Sequence, residues 1–85
     1  MTNSSALREL IESKGMKYKH VAQKLGLSGY GLALKIDNKN EFRVTEVKQL
    51  CEILGITSLR ERERIFFADD VDNKSTSENE GGLND

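Results

Sequence analysis

Proline and tryptophan are absent, cysteine and histidine occur once each, and the aromatic residues are two tyrosines and three phenylalanines. The single Cys51 excludes an intramolecular disulfide and a cysteine-rich zinc site. The single His20 leaves no histidine set to hold a metal, so it is expected to be a polar surface residue, and no cofactor is expected. Apolar runs are too short to span a bilayer, and the polar opening Met1-Thr2-Asn3-Ser4-Ser5 lacks the basic and apolar regions of a secretory signal. A cytoplasmic protein without membrane contact is expected. Eighty-five residues make one small domain, and 36% apolar content with little aromatic mass suits a compact helical fold around a modest core. A large enclosed active site has no room. Paired carboxylates, metal-spaced ligands and a phosphate-binding glycine loop are all missing, so no enzyme is expected.

The net charge of −1 conceals an opposition. Residues 1–68 carry twelve basic against eight acidic residues, a net +4, whereas residues 69–85 carry six acids and one lysine, a net −5. Lys14, Lys17, Lys19, Lys24, Lys35, Lys39, Arg43 and Lys48 outnumber Asp37, Glu41 and Glu46 in the middle of the chain. Such clustering supplies sequence-independent attraction to phosphates, although a solvated helical surface has the same composition.

Apolar spacing predicts five helices. Ser4 or Ser5 is expected to cap the first, with Leu7, Leu10 and Ile11 on its inner face and its end near Gly15. The second begins near Tyr18, buries Val21, Ala22 and Leu25, and stops at Gly26. Ser28 caps the third, in which Leu32 and Ile36 form an inward i, i+4 pair before the polar turn Asp37-Asn38-Lys39-Asn40. Val44, Val47, Leu50, Cys51 and Leu54 define one face of the fourth, closed by Gly55. Thr57 or Ser58 caps a fifth helix to about Phe67, with Leu59, Ile65, Phe66 and Phe67 available for burial. Beyond Asp69 almost nothing can be buried, and 69–85 is expected to be a disordered acidic tail that either solubilises the chain or competes with DNA for the basic face.

Two short amphipathic helices hinged at Gly26 are the layout that inserts one helix into the major groove of DNA. The run Gly15-Met-Lys-Tyr-Lys-His-Val-Ala-Gln-Lys-Leu-Gly-Leu-Ser28, then Leu32 and Lys35-Ile-Asp-Asn-Lys39, resembles the helix-turn-helix of the phage repressor and Cro group, often called the Xre family. The resemblance covers roughly residues 5–56, and Ala22, Gly26, Leu27, Ser28 and the closing Glu-Ile-Leu-Gly-Ile of 52–56 carry it. It implies an all-α, five-helix, lambda-repressor-like domain over 1–68. It further implies a dimeric, sequence-specific regulator, a repressor or Cro-like protein of prophage or mobile-element genes, bound to double-stranded operator DNA.

Carried over residue by residue, the base-facing positions are Gly29, Tyr30, Ala33 and Leu34, with Lys35 near the groove edge. Tyr18, Lys19, Ser28, Lys39 and Arg43 complete the expected DNA-binding set, with the Tyr18 phenol as a phosphate donor. Among the base-facing four, only Tyr30 has a polar tip, and Ala33 and Leu34 offer contact to thymine methyls, so direct base readout is thin and phosphate contacts and DNA shape weigh more. The alternative is a helix-turn-helix module that binds another protein, a repressor or host factor, through Tyr30, Ala33 and Leu34. Gly29 and Gly31 weaken the first turn of this helix, which is expected to fray without DNA. Cys51 is expected to fill core volume. Of Phe66 and Phe67, the expected dimer-interface pair, one closes the domain and the other reaches across a two-fold axis.

Overall fold

The structure, a computed structural model, describes residues 1–68; the acidic stretch 69–85, with its expected disorder, lies outside them. Five helices follow one another: α1 (Ser4–Ser13), α2 (Tyr18–Lys24), α3 (Gly29–Ile36), α4 (Val44–Leu54) and α5 (Leu59–Phe66). Strands are absent among the described residues. The fold is all-α, and no helix among those residues is long and apolar enough to cross a membrane.

Every helix contributes to one core: Leu7 and Ile11, Val21 and Ala22, Leu32 and Ile36, Val47, Leu50 and Leu54, and Ile65 and Phe66, joined by Leu25 at the end of α2. Leu7 and Ile11, Leu32 and Ile36, and Val47, Leu50 and Leu54 follow the i, i+3 and i, i+4 spacing that places side chains on one helical face, while Val21 with Ala22 and Ile65 with Phe66 are adjacent residues that straddle the centre of a wider buried face. Leu10 and Cys51 lie at its margin, half-buried. Burial pushes the Cys51 thiol up from its ordinary pKa, as befits a packing residue.

Two apolar residues depart from the expected stripes. Val44 is 83% exposed and Leu59 is 61% exposed. Each is the first residue of its helix, where the side chain leans back past the helix end, away from the turns that pack on the core. Phe42, partly buried, packs on the core ahead of α4. It stands just before the Arg43 N-cap, at the staple position to Val47, and its ring meets Phe66 edge-on with centroids 5.8 Å apart.

The cap of α1 also differs from expectation. Asn3, not Ser4 or Ser5, is the N-cap, and its side chain accepts from the Ala6 N–H. Ser4 is already helical, and its hydroxyl donates to the Ile36 carbonyl at 2.6 Å, at the end of α3. Thr2 and the Asn38 side chain exchange two hydrogen bonds: the Thr2 N–H donates to Asn38 Oδ1 at 2.8 Å and Asn38 Nδ2 donates to the Thr2 carbonyl at 2.9 Å. Asn3 N–H donates to the Ile65 carbonyl and Ala68 N–H to the Met1 carbonyl. The first three residues are therefore pinned between the ends of α3 and α5.

Candidate nucleic-acid interface

The α2–α3 turn depends on Gly26, whose φ of +73° lies in the left-handed region that glycine enters without a Cβ clash. Gly26 N–H donates to the Gln23 carbonyl and Leu27 N–H to the Ala22 carbonyl, the paired bonds of a Schellman motif. Leu27 packs on the core behind the turn. Ser28 then caps α3 by accepting from the Gly31 N–H at 2.9 Å, and its own hydroxyl proton stays available for a further acceptor.

With Leu32 and Ile36 fully buried, α3 can turn only one face outward. Gly29, Tyr30, Ala33 and Leu34 occupy that face by helical spacing; Tyr30 is 75% exposed, Gly29 is exposed, and Ala33 and Leu34 are half-buried. Lys19, Lys39 and Arg43 are exposed. Two members of the expected set are engaged inside the domain instead.

Tyr18 is the first of these. Its hydroxyl donates to Glu12 Oε2 at 3.0 Å, and the Arg8 guanidinium lies over its ring at 5.7 Å. The phenol expected to donate to a phosphate thus reaches α1 instead. Because α2 opens on Lys17 without a side-chain cap, the ring of Tyr18 fixes the helix start by packing.

Lys35 is the second. Its ammonium pairs with Glu46 Oε1 on α4 at 2.7 Å, and the two side chains are only 12% and 9% exposed. The same oxygen accepts from the Arg43 N–H at 2.9 Å, which makes Glu46 the N3 partner that satisfies the start of α4. Burial alone would raise the Glu46 carboxyl; the hydrogen bonds from Lys35 and Arg43, together with their charges, outweigh it and hold the group below its ordinary value. A depressed folded-state pKa contributes stability above the unfolded value, about 4.3 for a glutamate, and that contribution disappears as pH falls through the folded value. Glu46→Gln should therefore flatten the acid limb: between about pH 5 and pH 3 its urea midpoint is expected to fall less than that of the wild-type chain. Parallel acid limbs would show that Glu46 is not held in its charged form.

The two glycines of α3 differ in surroundings. A Cβ at Gly29 would meet nothing within 4 Å, whereas one at Gly31 would lie 3.2 Å from Ser28 Oγ, the cap itself. Gly29→Ala is expected to stabilise the free domain by about 0.5–1 kcal/mol through a less flexible unfolded chain. Gly31→Ala should gain less or lose, because the cap hydroxyl must move. Equal gains in thermal melts would contradict this.

Sequence reasoning missed Asn38. It takes φ +65°, the one non-glycine residue with positive φ among those described. Lys39 N–H donates to the Leu34 carbonyl and Asn38 N–H to the Lys35 carbonyl, so Asn38 ends α3 as Gly26 ends α2. Arg8 and Asp37 add an ion pair at 2.8 Å at the same junction.

A short second helix, a glycine turn and a capped third helix with an exposed outer face define a helix-turn-helix protein. A model of the Cro/C1-type helix-turn-helix DNA-binding domain matches residues 6–59, and the chain belongs to that family. No curated protein and no solved structure matches it.

Proposed function

We propose that the protein is a sequence-specific, double-stranded-DNA-binding transcriptional regulator of repressor or Cro type, serving prophage or mobile-element genes, with α3 in the major groove. The observation that carries the reading is the division of α3. Leu32 and Ile36 anchor one face while Tyr30 projects from the other, as a helix must if it is to touch base edges without leaving its domain. Tyr30 supplies the polar contact, Ala33 and Leu34 the apolar contact to thymine methyls. Lys19, Ser28, Lys39 and Arg43 contact phosphates, which fix register and supply the salt-dependent part of the affinity.

The protein acts as a dimer in this reading. Phe66 is 4% exposed and closes the domain, whereas Phe67 is 38% exposed. Phe67, Phe66, Met1 and Phe42 are among the residues lining an open groove of about 420 Å³, and its apolar part is the surface a second copy would cover.

Selection of bound sequences from a random duplex pool tests the whole reading. A palindromic motif with half-sites about 34 Å apart is expected. A single half-site would remove the dimer, and retention without enrichment would reduce the function to backbone binding. No retention would transfer Tyr30, Ala33 and Leu34 to a protein partner.

A further inference from the structure

Lys35 is the only charged residue within α3, and its charge is spent inside the domain. Glu46 Oε1 receives the ammonium and the Arg43 N–H together, so one carboxylate joins the last turn of α3 to the first turn of α4. The outer face of α3 consequently presents Gly29, Tyr30, Ala33 and Leu34 with no formal charge among them. A lysine free to swing from a groove-facing helix would add one phosphate contact to every sequence alike. Glu46 also fixes the seat of α3 against α4, and base contacts tolerate little rotation of the helix that makes them.

We propose that Glu46 is a specificity-determining positioning residue: it withholds Lys35 from the DNA backbone and fixes the recognition helix against α4, so that α3 reads DNA with an uncharged face. The inference rests on the reading of α3 as the helix that enters the major groove, and it removes Lys35 from the DNA-contacting set.

The test compares the full-length wild-type chain, Glu46→Gln and the charge-neutral double variant Lys35→Met/Glu46→Gln by fluorescence anisotropy, on a random duplex and on the selected operator. Glutamine keeps an oxygen for the Arg43 N–H, so the start of α4 survives in both variants. The wild type and the double variant should show the same slope of log affinity against log salt. Glu46→Gln, with its freed lysine, should be steeper by about 0.9, a roughly 3–4-fold larger loss of affinity between 50 and 200 mM salt. The ratio of operator to random affinity should fall in Glu46→Gln. Partial unfolding cannot produce that change, because it scales both affinities alike. A double variant shallower than wild type by about 0.9 would place Lys35 on a phosphate already and overturn the proposal. An unchanged slope and ratio in Glu46→Gln would overturn it as well. A wild-type chain that binds neither duplex at the lowest salt would overturn the regulator reading itself, and this inference with it.

Discussion

Leu32→Ala is expected to lower the stability of the free domain by about 3–5 kcal/mol, the cost of deleting a fully enclosed leucine and leaving a cavity. Leu32 is completely buried where α2, α3 and the rest of the core meet. A domain of this size has a total stability of roughly 3–10 kcal/mol, so the substitution removes most or all of it. Urea unfolding followed by circular dichroism should show a collapsed midpoint or no folded baseline. Tyr30→Ala, two residues away on the opposite face, should change the midpoint by about 0.5 kcal/mol or less. In the DNA-binding reading its cost falls on operator affinity, roughly 10-fold or more for a lost base contact. One helix would then separate folding from function by face. A Leu32→Ala domain as stable as wild type would mean that α3 is not anchored through this residue, and the outward placement of Tyr30 would lose its basis.

The parts of the fold that were legible in the sequence are those governed by local spacing. Leu7 and Ile11, Leu32 and Ile36, and Val47, Leu50 and Leu54 recur at helical intervals and are buried. Ser28 and Ser58 each precede a helix and cap it, because a short hydroxyl side chain reaches the N–H three residues on. The helix-turn-helix itself was legible for the same reason: a glycine able to take positive φ, a plug and a cap follow one another within three residues. Errors fell at helix starts and in long-range pairs. Periodicity places Val44 on the core face, yet it cannot show that the helix begins there and that its buried stripe starts one turn later, at Val47. Ser4 and Asn3 are both competent caps, and only the Ile36 carbonyl opposite Ser4 decides between them. Lys35 and Glu46 lie eleven residues apart on different helices, and nothing local distinguishes Lys35 from the exposed lysines that share its composition. In the candidate site, the outer face of α3 followed from periodicity, whereas the inward turn of Tyr18 and Lys35 required their tertiary partners. Phe66 and Phe67 part because α5 ends between them: Phe66 is the last helical residue and buried, while Phe67 is the C-cap and 38% exposed.

Asn38 shows why the end of α3 was opaque, and it carries the second large effect. The turn Asp37-Asn38-Lys39-Asn40 contains two asparagines suited to positive φ, and the choice falls on Asn38 because its side chain also reaches Thr2 and Ser4. Asn38→Ala should destabilise the domain by about 2–4 kcal/mol, combining roughly 1–3 kcal/mol for the lost side-chain bonds with about 1 kcal/mol because alanine tolerates the left-handed region less well than asparagine. Asn38→Gly separates the two: it relieves the backbone and keeps only the loss of the bonds, so its midpoint should lie between those of alanine and wild type. In both variants amide exchange at Thr2 should accelerate, since its acceptor is gone; exchange at Lys39, which bonds the Leu34 carbonyl, should accelerate mainly in Asn38→Ala. Equal midpoints for glycine and alanine would show that the left-handed turn costs nothing at this position. Because the same turn leads from α3 to Lys39 and Arg43, loosening it should also weaken DNA binding at every salt concentration without reducing the number of phosphates contacted, leaving the salt slope as it is in the wild type. A shallower slope would instead mean that the turn delivers those two cations to the backbone and that Asn38 sets their reach.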